Sequence, residues 1–130
     1  MASVFTKIIN GEIPCHKILE NEKFLAFLDV SPLVNGHVLV VPKVETDYIF
    51  DITDADLSEI LVFAKQVAKA QKAAITCKRI GIAVIGLEVP HAHVHLVPIN
   101  SANDLNFTLP KLKLSQDELS VTAEKIRAKL

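Results

Sequence analysis

The chain has 130 residues, half of them hydrophobic and 22% charged, the composition of a single globular domain spanning residues 1–130. Fourteen Lys plus Arg against 15 Asp plus Glu leave a formal net charge of −1, without the concentrated basic face that duplex nucleic acid demands. Cys15 and Cys77 form no CxxC pair and read as reduced thiols, the first dozen residues carry Lys7 and Glu12 rather than a signal-peptide pattern, and no apolar run nears membrane length. A cytoplasmic location with no membrane partner is therefore expected.

In chain order, Ser3 can cap a short helix that ends near Asn10, with Gly11 just past its end. Residues 16–20 and 24–30 read as two strands joined by the turn Glu20-Asn21-Glu22-Lys23. In the second strand Phe24, Ala26 and Leu28 share one face and Leu25, Phe27 and Asp29 the other. Asn35-Gly36 signals a turn. His37-Val38-Leu39-Val40-Val41 follows as a third, central strand, closed by Pro42.

Thr53 to Asp56 looks like a helix start, and Leu57, Ile60, Leu61, Ala64, Val67 and Ala68 recur at helical spacing to about residue 74. Phe63 and Ala70 widen that apolar face, which suits either a broad core face or a subunit contact. Residues 79–85 and 91–99 read as the fourth and fifth strands. Ser115-Gln116-Asp117-Glu118 is a capping box, and Leu119, Ala123, Ile126 and Leu130 stripe a final helix. The element order and hairpin-length links predict an antiparallel-dominated α+β domain.

Three of the five histidines stand at 91, 93 and 95. On a strand these positions share a face, while Ala92, Val94 and Leu96 turn to the other, apolar side. Neutral imidazole is a poor core filler, and mutual repulsion disfavours charging all three. The residues leave two chemistries open. One is a metal site, with His37 as a further ligand. The other is nucleophilic catalysis, one imidazole attacking phosphorus while its neighbours position oxygens and protons.

The stretch His91-Ala92-His93-Val94-His95-Leu96-Val97-Pro98 resembles the signature of the histidine-triad (HIT) superfamily. The segments Val4–Pro14, Phe27–Pro32 and Gly36–Lys43 are similar to that family's N-terminal segment and central strands, so the likeness covers roughly residues 3–98 in order. The resemblance implies a five-stranded antiparallel sheet with one long helix, a short N-terminal helix and a C-terminal helix, paired as a homodimer. It implies a hydrolase or transferase that works at the α-phosphate of purine nucleotide conjugates. The substrate would be a nucleoside phosphoramidate or a dinucleoside polyphosphate, attacked to give a covalent nucleotidyl-histidine. A weakly catalytic nucleotide-binding dimer is the alternative.

Mapped onto this sequence, the resemblance makes His93 the nucleophile, its second ring nitrogen donating to a backbone carbonyl. His95 would bond phosphate oxygens, and His91 with His37 would form a supporting relay. Backbone N–H groups from Gly86 through Glu88 to Val89 would hold phosphate. Asp29 would accept from the ribose hydroxyls, or serve only as a turn residue at the Ser31-Pro32 corner. Phe5, Ile8, Phe27 and Val30 would sandwich the base. Many bacterial relatives hold structural zinc through two N-terminal cysteines and histidines. Ser3 and Thr6 occupy the cysteine positions here, and Glu45 replaces a histidine, so no zinc and no cofactor is expected.

Overall fold

The computed structural model describes residues 2–130. Ser3 accepts from the Thr6 N–H and opens α1 (Val4–Ile9); Gly11 follows at φ +79°, a left-handed conformation that glycine adopts without a Cβ penalty. The strands are β1 (Lys17–Glu20), β2 (Phe24–Leu28), β3 (Val38–Pro42), β4 (Arg79–Ala83) and β5 (Val94–Ile99). They form one sheet in the order β1-β2-β3-β5-β4, every pairing antiparallel. The long helix α2 (Asp54–Ala74) lies between β3 and β4 in sequence, and α3 (Gln116–Arg127) ends the chain. This is the α+β, five-stranded antiparallel architecture expected above.

Strand alternation divides the apolar residues between the two faces of the sheet. Phe24, Ala26 and Leu28 of β2, Val38 and Val40 of β3, and Val94 and Leu96 of β5 pack beneath Ile60, Phe63, Ala64, Val67 and Ala70 of α2 and Leu119, Ala123 and Ile126 of α3. On the other face Leu25, Phe27, Leu39 and Val41 pack with Phe5 of α1. Phe63 and Ala70 therefore belong to a broad core face. Leu61 is half exposed and does not, because one helical position carries it round to the side away from the sheet.

Caps set the helix starts. Thr53 accepts from the Asp56 N–H at 3.2 Å, but the Asp56 carboxylate turns outward to Lys23. At α3 both halves of the Ser115–Glu118 capping box are made. Gln71, fully buried on α2, donates to the carbonyls of Gly36 at 2.8 Å and Leu96 at 3.0 Å, tying the helix to two strands. Gly36 itself has φ +93° and lies against the Ile75 side chain.

Four strands are shorter than the sequence pattern suggests, while β3 keeps its length but is shifted by one residue, leaving out His37 and taking in Pro42, which pairs with Phe24 of β2. β2 stops at Leu28 because the Asp29 carboxylate accepts from the Ser31 N–H at 2.9 Å and turns the chain. β4 stops at Ala83, before an irregular loop to residue 93. Pro98 does not end β5, which runs to Ile99: the β3 pairing finishes at Leu96, so Pro98 pairs only with Ile80 of β4. Among the described residues no helix is long and apolar enough to cross a membrane.

Candidate active site

The expected histidine strand begins later than residue 91. β5 starts at Val94, where the β3 pairing ends with Val40, so His91 and His93 precede the ladder. The Ala92 N–H instead donates to the Thr46 carbonyl at 2.6 Å, and loop backbone takes the ladder's place. The side-chain alternation survives. Ala92, Val94 and Leu96 are buried, and His95 sits opposite Leu39 on the α1 side of the sheet. The His93 and His95 ring centroids are 4.9 Å apart, and Phe5 packs edge-on against His91 at 5.8 Å and His93 at 4.9 Å. His91, His93 and His95 are 0%, 7% and 8% exposed, so each polar nitrogen needs a partner or a ligand.

Hydrogen bonds fix the tautomers. His93 Nδ1 lies 2.7 Å from the His91 carbonyl, which can only accept, so Nδ1 carries the proton and Nε2 the lone pair. A second chain begins at Leu33, whose backbone N–H donates to His37 Nδ1 at 3.1 Å. His37 Nε2–H must then donate to His95 Nδ1, 2.9 Å away, which leaves His95 with its proton on Nε2. One ring thus offers a lone pair and its neighbour an N–H donor. Burial, with like charge from His95, pushes the His37 pKa down to about 3. Burial, with His93 and Lys111, takes His95 down to about 4. Both rings are neutral at pH 7.

His91 does not join His37 in one relay. Its Nε2–H donates to the Pro42 carbonyl at 2.8 Å, and its Nδ1 accepts from the Ser3 hydroxyl at 2.7 Å. Glu45 closes this second network by accepting from the Ser3 N–H and the Thr6 hydroxyl, each at 2.7 Å, which draws its own pKa down to about 2. His91 touches His93 only through its backbone carbonyl and the shared Phe5 wall. A zinc ion does not fit this cluster. Ser3, Thr6 and Glu45 present two hydroxyls and a carboxylate already engaged with one another, and no thiolate.

His37, His93 and His95 line a cavity of about 500 Å³, within the usual range of ligand pockets. Phe5, Asp29, His37, Gly86, Glu88, Val89, His93 and His95 all reach it. Gly86 has φ +72°, which lets the loop turn back over the site. His91, Ile8, Phe27 and Val30 are not in the lining. Phe27 is buried beside Phe5 at 5.7 Å, Ile8 packs against the same cluster, and Val30 is 57% exposed. Asp29 accepts from the Ser31 amide, the turn role considered for it, and it also lines the cavity; burial raises its pKa.

Two lining residues carry no signal in the sequence. Phe107 stands edge-on to His95 at 4.6 Å, and Lys111 lies beside it. Both belong to the irregular segment between β5 and α3, which has no periodicity to read. Among the described residues, Asp29, His37 and His95 also bring ligand atoms within 4.8 Å of one another. The Leu33 amide weighs against a metal there, since it keeps the proton on the Nε2 that a cation would need.

The HIT domain pattern matches residues 10–102. An adenosine 5'-monophosphoramidase of Schizosaccharomyces pombe is 32% identical, over 100% of this chain and 99% of its own. The fold recurs in solved structures. A HIT-like protein of Bartonella henselae involved in cell-cycle regulation has a TM-score of 0.85 at 28% identity, covering 98% of this chain and 96% of its own. A zinc-bound histidine triad family protein of Mycobacterium smegmatis has a TM-score of 0.83 at 27% identity, covering 99% and 93%.

Proposed function

The chain belongs to the HIT-domain family, and from that premise we propose that it hydrolyses purine nucleotide conjugates at the α-phosphorus with His93 as nucleophile. The observation that carries this is the 2.7 Å bond from His93 Nδ1 to the His91 carbonyl, which leaves the other ring nitrogen of a cavity-lining residue with a lone pair. The phosphoramidase relative favours a phosphoramidate as substrate; a dinucleoside polyphosphate is the second class.

His93 Nε2 attacks the α-phosphorus. A P–N bond to the ring forms, the bond to the leaving group breaks, and its electron pair departs with that group. An amine leaving group takes up one proton from solvent, which the water of the second step returns. Charge developing on the His93 ring is shared with the His91 carbonyl through Nδ1–H, and His95 Nε2–H donates to a phosphoryl oxygen. Water then attacks phosphorus, gives up one proton and frees His93. The sum adds one water across the original bond and releases a nucleoside monophosphate.

The remaining assignments follow the same frame. Backbone N–H groups from Gly86 through Glu88 to Val89 hold phosphate. The second Asp29 oxygen takes the ribose hydroxyls, the first being engaged by Ser31. Phe5 walls the base, with Phe27, Ile8 and Val30 behind it and at its rim. His91 is a positioning residue that holds α1 and the Pro42 corner against the triad. The working form is a cytoplasmic homodimer, a reading supported by exposed Leu61 and Val62 on α2 and Ile82 on the edge strand β4.

The test is turnover of an adenosine phosphoramidate by wild type and His93→Ala, with isolation of the labelled intermediate under alkaline conditions, where a phosphorus–nitrogen bond to imidazole survives and acid would cleave it. AMP release falls by several orders of magnitude in the variant, and the wild-type adduct maps to His93. Equal AMP release by both proteins refutes the mechanism. AMP binding without turnover by wild type leaves only a nucleotide-binding dimer.

A further inference from the structure

The connection from β5 to α3 folds back over the site instead of passing it by. The Leu112 N–H donates to the Pro32 carbonyl at 2.8 Å, pinning this strap to the corner that follows β2. The pin sets Phe107 edge-on to His95 at 4.6 Å and to His37 at 6.3 Å. Lys111 Nζ donates to the carbonyls of Phe107 at 2.7 Å and Leu109 at 3.2 Å, and lies 5.8 Å from the Phe107 ring centre. Two of its three N–H groups are thereby held by the strap, and one remains. The ammonium is fixed in place before any ligand arrives.

Charge in the cavity makes this lysine consequential. Its lining includes two carboxylates, Asp29 and Glu88, and Lys111 is the one Lys or Arg among them. His37 and His95 are neutral at pH 7. The scissile phosphate carries a single negative charge in a phosphoramidate, and neutral donors suffice for it: His95 Nε2–H and the loop amides. A substrate with a second negative charge meets the field of two carboxylates at close range, where desolvation strengthens repulsion. Among the described lining residues, Lys111 is the one Lys or Arg placed to offset that field.

We propose that Lys111 is a specificity-determining residue that admits substrates whose leaving group is itself anionic. The inference rests on the hydrolytic reading above. The shared chemistry is negative charge beyond the scissile phosphorus, supplied by a phosphate in a dinucleoside polyphosphate or by a carboxylate in an amino-acid phosphoramidate. A rim ammonium held by backbone carbonyls suits both, since it acts as a point charge and imposes no planar geometry.

The experiment compares wild type, Lys111→Gln and Lys111→Arg on three substrates: diadenosine triphosphate, an adenosine phosphoramidate of an amino acid with a free carboxylate, and the unsubstituted adenosine phosphoramidate. The quantity read is the ratio of kcat/KM for each anionic substrate to that for the unsubstituted one. Lys111→Gln lowers that ratio about tenfold or more, the scale of one charge-assisted hydrogen bond, and Lys111→Arg restores most of it. A fall for the triphosphate alone identifies phosphate as the group read, and a fall for both identifies charge. Ratios unchanged by Lys111→Gln overturn the inference while leaving the hydrolytic reading intact. Wild type inactive on all three substrates removes that reading, and this one with it.

Discussion

Acidification below pH 6.5 should destabilise this fold earlier than carboxylate protonation alone would. His37 and His95 are neutral in the folded chain, with pKa values drawn down to about 3 and about 4 mainly by burial. In the unfolded chain both titrate near the ordinary histidine value of about 6.5. Between those limits the unfolded state binds more protons, so stability is complete above about pH 6.5 and falls as pH drops toward 4. At about 1.4 kcal/mol per proton per pH unit, and with both unfolded rings mostly protonated, the two histidines together remove about 2 kcal/mol between pH 6 and pH 5. That is a large share of the 5–15 kcal/mol typical of a small domain. His91, also lowered by burial, adds to the loss, whereas Asp29, raised by burial, opposes it. Urea unfolding at pH 7, 6 and 5 and fixed ionic strength measures the effect. The double variant His37→Asn, His95→Asn should lose about 2 kcal/mol less than wild type over the same interval. An equal loss in the two proteins, or ring titrations near pH 6.5 for His37 and His95 by NMR, would refute the reasoning.

Other perturbations test other parts of the frame. Gln71→Leu strips two buried carbonyls, Gly36 and Leu96, of their donor and should cost about 2 kcal/mol in chemical denaturation. Gly36→Ala must hold alanine at φ +93° with its Cβ about 3.0 Å from Ile75 Cδ1, so the melting temperature should fall by several degrees. Ser115→Ala removes the α3 cap and should cost about 1 kcal/mol without altering kcat for the phosphoramidate. Glu45→Gln weakens the clasp on Ser3 and Thr6. It should speed amide exchange in α1 while the β2–β3 ladder stays protected.

Much of this architecture is legible because two periodicities carry it. Period-two alternation over Phe24–Leu28 and Val38–Val41 sorts side chains to two faces, and the structure packs a separate helix layer on each. Helical spacing over 57–70 locates α2, and the Ser115–Glu118 box locates α3. The triad was visible for the same reason, as polar residues at alternate positions among apolar ones. What the pattern hides is hydrogen-bond partnership. Alternation continues through 91–93 although no neighbouring strand pairs them, so the sequence overextends β5. The division of the histidines into a His37–His95 pair and a His91–Ser3–Glu45 clasp depends on contacts across 58 and 88 positions, beyond any local signal. Phe107 and Lys111 were invisible because one backbone bond, Leu112 to Pro32, brings an aperiodic strap to the cavity.

The segment from His93 to Leu96 serves two masters in strict alternation, His93 and His95 for the cavity, Val94 and Leu96 for the helix-covered core. Insertion or deletion of one residue there would exchange the two sets, driving imidazoles into the hydrocarbon layer and branched aliphatics into the pocket. Such a change would erase the chemistry and the fold together. This short stretch can therefore drift in evolution only by substitution, while the loop before it, free of any ladder, is where length can vary.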